Sequence, residues 1–315
     1  MRTFAPGKLV LTGAYAVLEG APAIAVAVSR GAYADSSRVA SAPTPEVRAA
    51  LGEASAPHVD ASAMFHDARK LGLGASAAIV VATLAALEAG SGSALADFSV
   101  RERLFATARD AHARAQVGGS GVDVAASVHG GAIRYVMDAP VQKVALPHGL
   151  LVRVFACGVS ARTSELRGAI DKLARAEPSV HRACMDALVA IANEAAQAVD
   201  ANASAAFVDC LRRTARGLAR LGDAAGVGIV PAGFEELEAM AAREQASFSV
   251  SGAGGGDVAV YVGPLEPSSS FAERARALGL SPVDLTLDTR GVRLAPALPA
   301  PAFEDDPRPL NPTAP

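Results

Sequence analysis

Three glycine-rich segments place the strongest constraint on how this chain can fold. They are Leu71-Gly72-Leu73-Gly74-Ala75-Ser76-Ala77-Ala78, Gly118-Gly119-Ser120-Gly121-Val122-Asp123 and Ser251-Gly252-Ala253-Gly254-Gly255-Gly256-Asp257. Small residues at such turns let the backbone come close to a ligand or to another strand. The first segment runs straight into a helical pattern, so the unpaired N–H groups of the first turn point outward along the positive end of the helix dipole. Phosphate is the expected guest of that geometry. A helix cap packed tightly on a neighbouring strand is the ordinary alternative. The segment is not Gly-x-x-x-x-Gly-Lys-Ser/Thr, because no lysine precedes Ser76, and it is not Gly-x-Gly-x-x-Gly, since Ala77 stands where the third glycine would be. In the second segment Asp123 opens a helix, where a carboxylate serves either the dipole or chemistry. The third lies between two strand candidates and calls for positive φ angles.

Around these loops the pattern alternates strands and helices. Lys8 to Gly13 and Ala23 to Val28 read as two strands about the turn at Glu19-Gly20, a hairpin-like start to a sheet. Residues 36–57, rich in Ser, Ala and Pro, read as an irregular excursion without chemistry. Helices are expected over 75–89, 101–115 and 122–128, and strands over 132–136 and 141–146. A second lobe opens near Leu150 with a strand over 150–155. Helices follow over 163–175 and 181–200, broken by Glu177-Pro178, then over 203–221 and 233–243. Strands over 248–250 and 258–262 flank the third loop, and the alternation of Val283, Leu285 and Leu287 with Asp284, Thr286 and Asp288 predicts a last strand over 283–294. The fold class is α+β, divided into 1–149, 150–295 and a Pro-rich tail over 296–315 that holds seven prolines.

Composition narrows the function. A chain of 315 residues suits two packed lobes. Its 29 basic against 32 acidic residues supply no basic field for nucleic acid. Cys157, Cys184 and Cys210 are widely spaced, which implies neither a disulfide framework nor a zinc site. No signal core follows Met1, since Pro6, Gly7 and Lys8 interrupt at once. The longest apolar run, Ala75 to Leu87, has 13 residues and falls short of the roughly 20 that span a bilayer. A cytoplasmic protein without membrane partners, monomeric or homodimeric, is expected.

Taken in order with Ala5-Pro6-Gly7-Lys8, the three loops resemble the GHMP kinase family of galacto-, homoserine, mevalonate and phosphomevalonate kinases. The likeness runs from about Ala5 to Val262. It implies an N-terminal lobe of the ribosomal protein S5 domain 2-like fold, a C-terminal ferredoxin-like lobe, and an active site between them. It implies ATP and Mg2+ as cofactors and a small-molecule substrate. By matching positions, Lys8 and Asp123 become the catalytic pair. The backbone of Gly72, Leu73, Gly74, Ala75, Ser76 and Ala77 would wrap the ATP phosphates, joined by Gly252, Ala253, Gly254 and Gly255, with Asp257 structural. Ser76 matches the serine expected at the metal. Ala14 departs from the glutamate usual after Gly13. Lys70 before the first loop, His112 and Gln116, and the stretch Ser160-Ala161-Arg162-Thr163 resemble the phosphomevalonate branch. There Lys70, Ser120, Arg162 and Thr163 would meet the substrate, since a guanidinium matches phosphate oxygens bidentately. Mevalonate kinase, another metabolite kinase or a silent ligand-binding relative are the alternatives the same motifs leave open.

Overall fold

Residues 1–66, 69–116, 118–158 and 163–296 are described in the computed structural model. Strands β1 (Arg2–Thr12) and β2 (Ala23–Val39) open the chain as one long antiparallel pair around a short 3-10 turn, Ala16–Glu19. β1 is buried along almost its whole length, so it reads as a nearly continuous apolar run rather than as an alternating one. The pair extends well beyond the expected hairpin and takes in Pro6 and Gly7, where the register shifts.

The excursion read as irregular is ordered in part. β2 continues to Val39, helix α1 (Pro45–Leu51) follows, and β3 (Pro57–Asp60) pairs back onto β2. Thr44 caps α1 by accepting the Val47 N–H at 3.4 Å, and Pro45 occupies the first turn. A proline just inside a Ser/Thr cap starts a helix and does not break one. A two-stranded ribbon of β4 (Phe65–His66) and β5 (Arg69–Lys70) leads to helix α2 (Ala75–Gly90). Apolar on nearly every side, α2 is buried accordingly. Helices α3 (Phe98–Ala115) and α4 (Val122–His129) and strands β6 (Ala132–Tyr135) and β7 (Gln142–Val144) complete the first half.

The second half runs β8 (Leu151–Ala156), α5 (Thr163–Ala176), α6 (Pro178–Asp200), α7 (Ser204–Ala225), α8 (Phe234–Arg243), β9 (Ser247–Val250), β10 (Val258–Gly263), α9 (Ser269–Ala277), β11 (Ser281–Val283) and β12 (Arg293–Leu294). Two sheets result, one ordered β12-β1-β2-β6-β7 with β3 on β2, the other β11-β8-β10-β9. The α+β class expected from the pattern is what forms. Alternation along the second sheet explains how the halves join. Val154, Val260 and Val262 point into the core shared with α2 and the first sheet, while Phe155, Phe248 and Tyr261 face the second core under α5 to α9.

The expected last strand over 283–294 is split. Asp288 is turned inward, where its carboxylate accepts the N–H groups of Arg290 and Gly291 and the Arg293 guanidinium, so it bends the chain instead of facing solvent. The chain then returns to the first sheet, with Leu287 bridged to Val28 and β12 paired with β1. Arg101 secures this return by donating to the carbonyls of Leu95, Val128, His129, Arg290 and Val292.

Buried beside that guanidinium, His129 is held down from the ordinary 6.5 to about 4, first by burial and then by the charges of Arg101 and Lys143. Among the described residues its Nε2 finds no hydrogen-bond partner, and the Glu102 carboxylate stands 3.7 Å away. The unfolded chain therefore binds a proton that the folded one refuses. Stability present above pH 6.5 should fall as the pH drops toward 4, by on the order of 2–4 kcal/mol from this residue. Urea denaturation across that range should show a shallower loss for His129→Phe than for the wild type; parallel losses would place the acid sensitivity elsewhere.

Candidate active site

Lys8 leaves β1 directly beneath the first glycine loop. Its backbone N–H donates to the Leu73 carbonyl at 2.8 Å and its Nζ donates to the Gly72 carbonyl at 3.2 Å. Burial pushes the Lys8 ammonium below its ordinary value, the carboxylates of Asp123 and Asp257 oppose that, and Lys70 adds to it. Gly74 caps α2 with φ +78° and lies over the lysine stem, where a Cβ would sit 3.2 Å from Lys8 Cγ and 3.4 Å from Asp123 Cβ. Only a residue without a side chain lets the loop approach both groups at this backbone angle. Asp123 stands in the first turn of α4, its Oδ1 accepting the Val124 N–H at 3.0 Å.

A string of polar contacts links the two helix starts. Ser76 Oγ is 3.1 Å from His112 Nε2 and accepts a hydrogen bond from Gln116 Nε2 at 2.9 Å. The same Gln116 nitrogen donates to Glu46 Oε1 at 3.1 Å, and His112 Nε2 lies 3.6 Å from Asp123 Oδ2. Glu46 and His112 are only 8% and 4% exposed, so their geometry is held by packing as well as by these contacts. Burial works to raise the Glu46 carboxyl. Its own backbone N–H, Gln116, Thr44 and the charge of His112 outweigh that and hold it below the usual range.

The third loop is tied down from two sides. Ser251 Oγ accepts the Val10 N–H at 2.9 Å and donates to the Val10 carbonyl at 3.3 Å, fixing the loop to β1. Tyr15, a buried residue with φ +61°, donates its hydroxyl to the Ala253 carbonyl at 2.7 Å. A tyrosine at positive φ is strained and persists because burial and this bond specify it. Burial pushes its phenol upward, and the nearby Arg167 charge pulls it back.

One cleft gathers most of the residues singled out by sequence. Lys8, Lys70, Gly72, Gly74, Ser76, Ser120, Asp123, Thr163, Gly252 and Ala253 all line it. Leu73, Ala75 and Ala77 turn their side chains into the core and can offer only backbone. Gly254 and Gly255 do not line the cleft; Gly255 donates its N–H to the Ile229 carbonyl at 2.8 Å. Arg162 lies outside the described residues. Asp257, expected to be structural, borders the cleft and acts on the Lys8 charge. Sequence reasoning also missed Glu46 and Arg167. Arg167 was findable, since it follows Thr163 by four residues and so shares its helix face.

Known proteins resemble this chain in sequence and fold. The model for the GHMP kinase N-terminal domain matches residues 56–131. A phosphomevalonate kinase of Streptomyces sp. (strain CL190) is 30% identical over 258 residues, 73% of this chain and 68% of that protein. Among solved structures, a Lin0012 protein from Listeria innocua superposes with a TM-score of 0.80 at 20% identity over 94% of this chain and 99% of that one. The Streptococcus pneumoniae phosphomevalonate kinase, solved with phosphomevalonate and AMPPNP, gives 0.70 at 18% over 91% and 99%.

The approach of the first and third loops is open to test. A Cβ on Gly72, at φ +65°, would stand 2.4 Å from Asp257 Cβ. Gly72→Ala should therefore destabilise the fold by about 1–3 kcal/mol through overpacking and backbone strain. A melting temperature equal to that of the wild type would show that the loops do not meet as closely as described.

Proposed function

The chain belongs to the GHMP kinase family, and we propose that this ATP-dependent phosphotransferase acts on phosphomevalonate, with Lys8 and Asp123 at the reacting atoms. The observation that carries the reading is the convergence of a half-buried lysine, a helix-opening carboxylate and the glycine-capped start of α2 in one cleft. The likeness to phosphomevalonate kinases in sequence and fold supports the choice of substrate.

In this reading the N–H groups from Gly72 to Ala77 receive the ATP phosphates at the positive end of α2. Asp123 accepts the proton of the substrate hydroxyl as that oxygen bonds to the terminal phosphorus and the bond to the departing ADP oxygen breaks. Lys8, held between Asp123 and Asp257, stabilises the charge that spreads over the transferred group. Phosphoryl transfer asks mainly for such positioning and charge compensation.

Magnesium fits the donor set if it arrives with the nucleotide. Among the described residues no three His, Cys, Asp or Glu side chains form a cluster that could hold a metal unaided. Mg2+ usually takes one or two protein oxygens and completes its shell with phosphates and water. The Ser76 hydroxyl and an Asp123 oxygen would be those ligands, and the ion would neutralise phosphate charge there. His112 and Gln116 hold the Ser76 oxygen in place, and Glu46 holds Gln116. Among the described residues no helix is long and apolar enough to cross a membrane.

Asp123→Asn and Lys8→Met should each lower kcat by at least ~10² while leaving the circular dichroism spectrum intact. An Asp123→Asn enzyme near the wild-type rate would remove Asp123 from the reaction. Ser76→Ala should raise the magnesium concentration needed for half-maximal nucleotide binding, measured by calorimetry, and Glu46→Ala should reproduce part of that shift from a distance. If both variants keep the wild-type magnesium dependence, the metal is held by other groups.

A further inference from the structure

We infer that Arg167 reads the phosphate already present on the substrate, and that the discrimination between a phosphorylated and an unphosphorylated alcohol resides in this one guanidinium. The inference rests on the kinase reading above and adds a residue that the sequence motifs did not assign.

The first observation is the position of Arg167. It lies one turn into α5 on the face that also carries Thr163, and both line the cleft, while the adjoining stripe of Leu166, Ile170 and Leu173 is packed in the second core. The guanidinium reaches across to the second glycine loop. A Cβ built on Gly118 would lie 3.5 Å from Arg167 Nη2, so the glycine there leaves the donor face uncovered. On the other side stands Tyr15, close enough for its phenol to feel the Arg167 charge. Arg167 therefore sits between a loop that leads to Asp123 and the turn that follows β1.

The second observation is what Arg167 lacks. Arginines elsewhere on the surface, such as Arg153, Arg213, Arg216 and Arg274, each lie against a carboxylate. Among the described residues no carboxylate lies within 4.0 Å of the Arg167 guanidinium. A half-buried cation inside a cleft without an anion is unfavourable until a ligand supplies one. The neighbouring wall supplies none, since the residue before Tyr15 is Ala14, itself buried and facing the same cleft. The five donors of a guanidinium in a planar fork match the oxygens of a phosphate monoester, and α5 adds the positive end of its dipole at Thr163.

The two carboxylates named in the cleft, Asp123 and Asp257, both act on Lys8. The transferred phosphoryl group thus has Lys8, with Lys70 close enough to act on it, and Arg167, on the second glycine loop's side of the cleft, is left for a second anion. A ligand with a phosphate on one end and a free hydroxyl on the other satisfies both positions.

The test compares phosphomevalonate with mevalonate on the wild type, Arg167→Gln and Arg167→Lys, with calorimetric binding of phosphomevalonate in the absence of nucleotide as a readout independent of turnover. The ratio of kcat/KM for the two substrates should fall by roughly 10–100-fold in Arg167→Gln, with phosphomevalonate binding weakened to match. Arg167→Lys should recover only part of that ratio, because an ammonium keeps the charge and loses the fork. A wild type that prefers phosphomevalonate with an Arg167→Gln variant that keeps the same ratio, or loses both substrates and ATP binding alike, overturns the inference and leaves the substrate reading standing. A wild type that turns over only mevalonate overturns the substrate reading and the inference with it.

Discussion

The free edge of β1 is the constraint on which the rest of the site depends. β2 covers one edge of this strand along its length, but β12 covers the other only at Thr3 and Phe4. Beyond those residues the open edge still carries backbone donors and acceptors that must be paired if buried. Both glycine loops that flank the cleft pair there. Leu73 offers its carbonyl to the Lys8 N–H, and Ser251 bonds both the N–H and the carbonyl of Val10. Two segments about 180 residues apart in sequence are thereby docked within two residues of each other on one strand. The requirement to satisfy a sheet edge and the requirement to assemble a site are met by the same hydrogen bonds.

This arrangement explains why the loops consist of glycine and other small residues. Each must lie flat on the strand and still leave its outer face to a ligand. Gly74 passes over the Lys8 stem at near van der Waals distance, and Gly72 meets Asp257 with no room for a methyl group. The first loop is thus wedged between β1 below and the third loop beside it. Preorganisation of this kind matters for phosphoryl transfer, where placing charge in advance of the reaction supplies much of the rate. The half-buried lysine at the centre is pushed below its ordinary value by desolvation, and two carboxylates from different parts of the chain, Asp123 and Asp257, oppose that shift.

How much of this could be read from the sequence depended on whether the signal was local. The loop turns, the helix that follows each of the first two, and the Lys8, Ser76 and Asp123 positions were legible because glycine, a helix start and a first-turn acid are neighbours in sequence. Glu46 was not legible. It lies in a Ser-, Ala- and Pro-rich stretch whose only local signal is the Thr44-Pro45 helix start, and its role comes from Gln116, 70 residues away. Gly254 and Gly255 differ from the rest of their loop, since they do not line the cleft and the Gly255 N–H donates to the Ile229 carbonyl, a contact no local signal announces. The final strand was misread because period-two alternation cannot tell a solvent-facing aspartate from one that folds the chain around itself, as Asp288 does.

Ala14 acquires a meaning from the charge distribution that it lacked as a sequence departure. A glutamate at that position would be buried beside Tyr15, and therefore near the Arg167 charge that Tyr15 feels. A carboxylate there would bring a second negative charge into the cleft that Arg167 lines, in competition with an anionic ligand. With alanine there, the wall is neutral, the tyrosine hydroxyl is committed to Ala253, and Arg167 keeps its donors for what enters the cleft. Ala14 and an Arg167 with no carboxylate within 4.0 Å among the described residues leave this part of the cleft without negative charge. A catalytically silent relative would have no physical need to keep such a cation unpaired, because a half-buried charge without a partner is a standing penalty on stability unless binding relieves it.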